Sequence, residues 1–268
     1  MTIEKTAVAA DGVKLHYSIH GSGPLRLALT HSLAMTGSFW TRLIDALGDH
    51  ATVLSWDCRG HGASDKPAGP YTVEMFGDDL ATVFDAAGWD RAICAGASMG
   101  GTVTLAFAAR HPARVSALGL IDTTASYGAG APEAWEGRAQ KARDEGLASL
   151  TAFQETRWFS DGFRAANPGL VAECVEIFCA NDLNAYGETC RMLGAADLID
   201  QLPAIRVPTM ILVGDEDYAT PPPMAEQMHG LIGGSTLEII AGARHLTPLE
   251  CPDLIADRLL TLARKVEA

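Results

Sequence analysis

The chain has 268 residues, 48% of them apolar and 20% charged, which is enough for one large α/β domain or a domain with an insertion and excludes a disordered or fibrous chain. A net charge of −13 and the lack of a dense basic run argue against nucleic acid, whose phosphates are held by Lys and Arg, and against an acidic membrane surface. Met1 to Asp11 has no basic-then-apolar leader pattern and no stretch approaches 18 uninterrupted apolar residues, so a soluble cytoplasmic protein is expected.

Short apolar runs rich in β-formers alternate with longer helical patterns, as in a mostly parallel sheet covered by helices. The first expected strands are Val13 to Ile19 and Leu25 to Thr30, the second followed by His31-Ser32-Leu33. Ser38 opens a helix from Phe39 to Leu47, closed by Gly48. The strand Thr52 to Trp56 leads into Asp57-Cys58-Arg59-Gly60-His61-Gly62-Ala63-Ser64, a tight hydrogen-bonded loop in which Asp57 and His61 are read as structural. Thr72 precedes a helix ending at Gly88, with Phe76, Leu80, Val83 and Phe84 on one face. Further strands are Ala92 to Ala95, Val115 to Ile121, Thr209 to Val213 and Leu237 to Ile240.

From residue 123 to 202 strand signals stop and helical patterns follow one another, which predicts a helical cap inserted into a core of residues 1–122 and 203–268. Its first helix carries Pro132 and Glu133 at the start and Gly146 just past the end, and Asn167-Pro168 signals the start of a later one. Six cysteines (Cys58, Cys94, Cys174, Cys179, Cys190, Cys251) lie scattered at spacings that match no zinc site and are expected to be reduced packing residues.

Gly96-Ala97-Ser98-Met99-Gly100 fits G-x-S-x-G between a strand and the helix Met99 to Arg110, the context in which a sharp turn projects a serine nucleophile. A serine needs a base and an orienting acid, and both follow in chain order: Asp217 after Thr209 to Val213, and His245 after Leu237 to Ile240. Asp215, read as a turn residue, and Asp122, at the end of Val115 to Ile121, are the rival acids. Oxyanion donors are expected from the backbone N–H groups of Met99 and Leu33. His31 is read as a structural hydrogen-bonder, and Ser32, where glycine is usual, puts a β-carbon at the mouth of the site.

Nucleophile and electrophile both come from the chain, so no metal or organic cofactor is expected. The acidic net field repels anions, and recognition of a small anionic substrate would depend on local cations. The cap offers Arg138, Lys141, Arg143, Arg157, Arg164 and Arg191; Arg138 and Arg157, with Trp135 three residues before Arg138, are the substrate-binding candidates.

Asp57-x-Arg59-Gly60-His61-Gly62-x-Ser64, the elbow Gly96 to Gly101, the cap segment Arg157-Trp158-Phe159 with Phe163-Arg164, and Ala219-Thr220-Pro221-Pro222 together resemble the 3-oxoadipate enol-lactonases of the α/β-hydrolase superfamily, over nearly the whole chain. That family usually carries Asn-Ser-Leu-Gly where this chain has His31-Ser32-Leu33-Ala34. The resemblance implies an α/β-hydrolase fold and hydrolysis of a small lactone or ester through an acyl-enzyme. Carbon–carbon bond hydrolysis and cofactor-free perhydrolysis use the same triad, and a non-catalytic binding protein of this fold is a further alternative.

Overall fold

The computed structural model describes residues 2–267, so residues 1 and 268, the outer bounds of the expected core, lie outside it. Its centre is an eight-stranded sheet of β1 (Thr2–Val8), β2 (Lys14–His20), β3 (Leu25–Thr30), β4 (Ala51–Trp56), β5 (Ala92–Ala97), β6 (Val115–Ile121), β7 (Thr209–Gly214) and β8 (Thr236–Ile240), in the spatial order β1-β2-β4-β3-β5-β6-β7-β8. β1 and β2 run antiparallel to their neighbours, and β4 through β8 form a parallel array with β3. Every residue of β5 and β7 is buried, as expected of strands covered on both faces. The fold class is the α/β-hydrolase arrangement that the motifs imply.

The sequence reading omitted β1. Six of its seven residues are exposed, so Glu4 and Lys5 sit on an edge strand with no clean apolar face to read.

The helices in chain order are α1 (Thr41–Leu47), α2 (Val73–Ala87), α3 (Met99–Arg110), α4 (Ala131–Glu145), α5 (Thr151–Trp158), α6 (Asp161–Ala166), α7 (Pro168–Cys179), α8 (Leu183–Ala195), α9 (Pro222–Leu231), α10 (Thr247–Glu250) and α11 (Pro252–Glu267). In α2 the Thr72 hydroxyl accepts from the Met75 N–H, Gly88 turns left-handed at the other end, and Phe76, Leu80, Val83 and Phe84 are all buried. α2 packs on α3, and α1 on α11.

Two start signals behave differently from expectation. Ser38 lies inside a 3-10 turn, Gly37–Trp40, that precedes α1. Asn167 does not accept from the first turn of α7; its side-chain N–H donates backward to the Phe163 carbonyl, while Pro168 takes the first helical position as expected.

Five helices, α4 to α8, lie between β6 and β7. An antiparallel bridge between Ser126 and Asp197, with the Leu198 N–H donating to the Ala125 carbonyl at 2.9 Å, draws the two ends of this segment together. Pro203, at the expected return to the core, sits within a 3-10 helix, Ile199–Ala204, that leads into β7. The cysteines are all free thiols. No helix among the described residues is long and apolar enough to cross a membrane.

Candidate active site

β5 ends in a turn that only particular residues allow. Ser98 adopts φ 54°, ψ −121°, a strained conformation for a residue with a side chain. A β-carbon at position 96 would strike the Gly100 carbonyl, and one at position 100 would strike the Thr30 carbonyl, so the flanking glycines are dictated by close backbone approach. Local bonds hold the strain: the Ser98 N–H donates to the Ile121 carbonyl, and the Thr123 hydroxyl donates to the Ser98 carbonyl.

β7 and β8 deliver the other two predicted groups to the same point. His245 Nε2 lies 2.8 Å from Ser98 Oγ, and His245 Nδ1 lies 2.8 Å from Asp217 Oδ2. The carboxylate also accepts from the N–H groups of Ala219 (2.7 Å) and Thr220 (2.9 Å) and from the Thr220 hydroxyl (2.9 Å). Burial alone would raise the Asp217 carboxyl, but His245 and these donors reverse the effect and hold it below the usual carboxylate range. The surroundings therefore favour the carboxylate form beside the imidazole.

The rival acids are occupied elsewhere. Asp122, at φ 47°, accepts from the Thr247 N–H (2.9 Å) and hydroxyl (2.7 Å) and from the Gly214 N–H. Burial, and then the nearby Asp217 charge, push its carboxyl well above the usual range. Asp122 thus ties the loop after β7 to the loop bearing His245 and does not bond the imidazole. Asp215 accepts from the Gly242 N–H in the turn after β8.

The predicted oxyanion donors flank the serine. Met99 opens α3, where an N–H has no intrahelical acceptor, and Leu33 lines the cavity in front of Ser98. Among the described residues neither N–H has an acceptor. The loop bearing Leu33 is held by His31, whose Nε2 accepts from the Cys58 N–H at 3.0 Å, which leaves Nδ1–H to donate to the Ser32 carbonyl at 2.8 Å. Asp57 accepts from the N–H groups of Gly37 and Ala63, and His61 Nδ1 bonds the Arg59 carbonyl, the structural roles expected of both. Cys58 is buried and its thiol is pushed well up, which leaves it a poor nucleophile.

The opposite wall of the cavity comes from the helical segment. Trp135, Arg138 and Arg157 line it, as do Trp158, quoted above only for the family resemblance, and Tyr127 and Gln154, which the sequence did not single out. Arg138 donates from Nε to the Tyr186 hydroxyl at 2.6 Å and lies over the Trp135 ring, 5.3 Å from its centre. Arg157 donates to the Tyr218 carbonyl at 3.2 Å. Neither guanidinium has an ion pair among the described residues. Burial, and next the like charge of Arg138, lower the pKa of Arg157 from its ordinary value. The other cations proposed for this role fall outside the cavity lining: Arg191 pairs with Glu136 and Glu188, Arg164 with Asp161, and Arg143 bonds Gln140. Burial, and then the Asp217 charge, push the phenol of Tyr127 up in the same lining.

Among the described residues no group of three His, Cys, Asp or Glu side chains is arranged to hold a metal.

Comparison with known proteins agrees with this geometry. Residues 26–252 match the family described as the alpha/beta hydrolase fold. The chain is 31% identical over 249 residues to 3-oxoadipate enol-lactonase 2 of Acinetobacter baylyi, covering 92% of each chain. The crystal structure of the enol-lactonase from Burkholderia xenovorans LB400 superposes with a TM-score of 0.92 at 33% identity, covering 97% of this chain and 100% of that one. A thermophilic esterase from Thermogutta terrifontis, solved with malate bound, gives 0.91 at 28% identity over the whole of both chains. The chain therefore belongs to the α/β-hydrolase fold family, and within it resembles the 3-oxoadipate enol-lactonases.

Proposed function

We propose that this chain is a serine hydrolase of a small lactone or carboxylic ester that itself carries a carboxylate. Ser98 attacks the carbonyl while His245 takes its proton, Asp217 holds the imidazole, and the N–H groups of Leu33 and Met99 receive the oxyanion. Collapse expels the leaving oxygen, protonated by His245, and leaves an acyl-enzyme; in a lactone that oxygen stays on the acyl chain, and water, activated by the same histidine, then attacks the serine ester, releases one ring-opened acid and restores the Ser98 hydroxyl. Residues 123–202 act as the cap over a core of 1–122 and 203–268. Within that cap Trp135 forms a flat wall, and Arg138 and Arg157 hold the substrate carboxylate.

The observation that carries the anionic substrate is the pair of guanidiniums facing the Ser98 cavity, neither in an ion pair with a carboxylate among the described residues. Two like charges on one wall repel, and a substrate carboxylate between them would relieve the repulsion with charge-assisted hydrogen bonds. Relatives support this reading: the Thermogutta terrifontis esterase was solved with malate, an acid, and a 25% identical Acinetobacter baylyi protein is a hydrolase of a substituted succinate.

The test has two arms. A fluorophosphonate should label Ser98 stoichiometrically, and a panel pairing carboxylate-bearing lactones with their neutral ester analogues should show higher kcat/KM for the acids. A well-folded protein that takes no label would favour the non-catalytic binder, and equal rates on acids and esters would leave a generic esterase.

A further inference from the structure

The cavity in front of Ser98 is narrow, about 40 Å³. On its outer side lies a second cavity of about 460 Å³, lined by Phe153, Thr156, Arg157, Asp161, Arg164, Tyr218 and Arg244. Arg157 belongs to both linings and is the partition between them.

The outer cavity has the chemistry of an anion site with aromatic sides. Three guanidiniums line it against a single carboxylate, Asp161, which both Arg164 (2.6 Å) and Arg244 (2.8 Å) already share. Arg244 is also spent on the carbonyls of Thr156 and Phe159 and on Glu216. Arg164 has Asp161 as its side-chain partner among the described residues, and its buried Nε has none. Phe153 and Tyr218, 57% and 61% exposed, are two of the few large apolar side chains left in solvent, and each has a guanidinium over its ring, Arg157 at 5.0 Å and Arg244 at 5.4 Å.

The partition is movable in one part only. The Arg157 carbonyl accepts from the His245 N–H, so its backbone is tied to the catalytic loop. Its side chain is held by one long hydrogen bond, from the guanidinium to the Tyr218 carbonyl at 3.2 Å, and by the face of Phe153, without an ion pair among the described residues, so that a ligand carboxylate would be a stronger partner than either.

We propose that this outer cavity is a second binding site, a vestibule for a small planar carboxylate on its way to Ser98, in which Arg164 and Arg157 take the anion first and Arg157 then turns inward to deliver it beside Arg138. The proposal rests on the anionic substrate proposed above and adds a site to it. It accounts for how a protein of net charge −13 could attract an anion into a closed pocket, because a local basic funnel outweighs a distant net field.

The test uses Arg164→Gln and Arg164→Lys in the full-length protein, with a carboxymethyl-substituted butyrolactone and its methyl ester as substrates. At low ionic strength Arg164→Gln should lower kcat/KM for the acid about fivefold, leave kcat within about twofold, and leave the ester unchanged. Arg164→Lys should restore the acid's kcat/KM, and added salt should bring the unsubstituted protein down toward Arg164→Gln. Unchanged kcat/KM for the acid in Arg164→Gln, or an equal loss on acid and ester, overturns the vestibule. Arg138→Met separates the two proposals: if it impairs only the acid while Arg164→Gln does nothing, the vestibule alone fails. If the unsubstituted protein does not distinguish acid from ester, both fail.

Discussion

On the sheet side of the cavity Ser98, His245 and Asp217 each have a protein partner at 2.8 Å, whereas on the helical side Arg138 and Arg157 face the same space without a carboxylate. The first wall is complete before any ligand arrives, as a group that must act in a fixed geometry should be. The second is electrostatically unfinished, as a group that must recognise a charge should be, since a protein carboxylate there would compete with the substrate. The proposed function thus assigns chemistry to strand ends and selectivity to helices, and on that assignment substitutions on the two walls should fail differently.

The largest effect is expected on the finished wall. Ser98→Ala should lower kcat by on the order of 10⁵–10⁶-fold with an unchanged circular dichroism spectrum, because the three residues act as a unit. Near-normal turnover in that variant would refute the nucleophile. Asp217→Asn should cost on the order of 10³–10⁴-fold in kcat, by removing the charge that supports the imidazolium. Asp122→Asn is the informative contrast. It weakens acceptors for Thr247 and Gly214 and should appear mainly as about 1–3 kcal/mol less unfolding free energy in denaturant titrations. A greater loss of turnover than in Asp217→Asn would transfer the acid's role to Asp122.

Smaller, but selective, is the effect of opening the unfinished wall. Arg138→Met and Arg157→Met should each cost about 1.5–3 kcal/mol in kcat/KM on an acid substrate and little on its neutral ester, since one charged hydrogen bond is lost in each. Paired steady-state assays check it, and equal effects on both substrates would remove the anion role.

Next is a proton count. The folded Asp217 carboxyl lies below its ordinary value of 3.8, so its stabilising contribution is present above that pH and is lost only as pH falls through the lower folded value. Denaturant titrations repeated at falling pH should therefore show this contribution retained at pH 4 and lost only below it. A loss that is complete above pH 4, and that is absent in Asp217→Asn, would mean that the carboxyl is not held low. The smallest expected effect is none at all: exhaustive dialysis against a chelator should leave kcat unchanged, because the chain supplies both nucleophile and oxyanion donors.

The same contrast explains what could be read from the sequence. Ser98, Asp217 and His245 each follow an apolar strand within a few residues, and a signal of that kind is local. Arg138 was legible because Trp135 and the buried Ala139 and Ala142 give α4 a recognisable face. Tyr127, Gln154 and Trp158 carry no such signal. They reach the cavity because the Ser126–Asp197 bridge and the packing of α4 on α8 fold the segment back over the sheet, a long-range outcome with no local imprint. β1 was missed for the reverse reason, since an edge strand buries too little to leave an apolar pattern.

The N–H groups of His245 and Leu246 donate to the carbonyls of Arg157 and Trp158, and Glu250, just past them, accepts from the N–H groups of Ser160 and Arg244. The end of α5 and the histidine loop are, in effect, laced into one seam, though some eighty residues separate them along the chain. A chimera that took its helices from one relative and its C-terminal third from another would cut that seam and displace His245, even with Ser98, Asp217 and His245 all present. Exchange of substrate preference by segment swapping should therefore succeed only when residues 157–160 and 244–250 travel together, which makes them a single heritable unit in a fold otherwise tolerant of insertion.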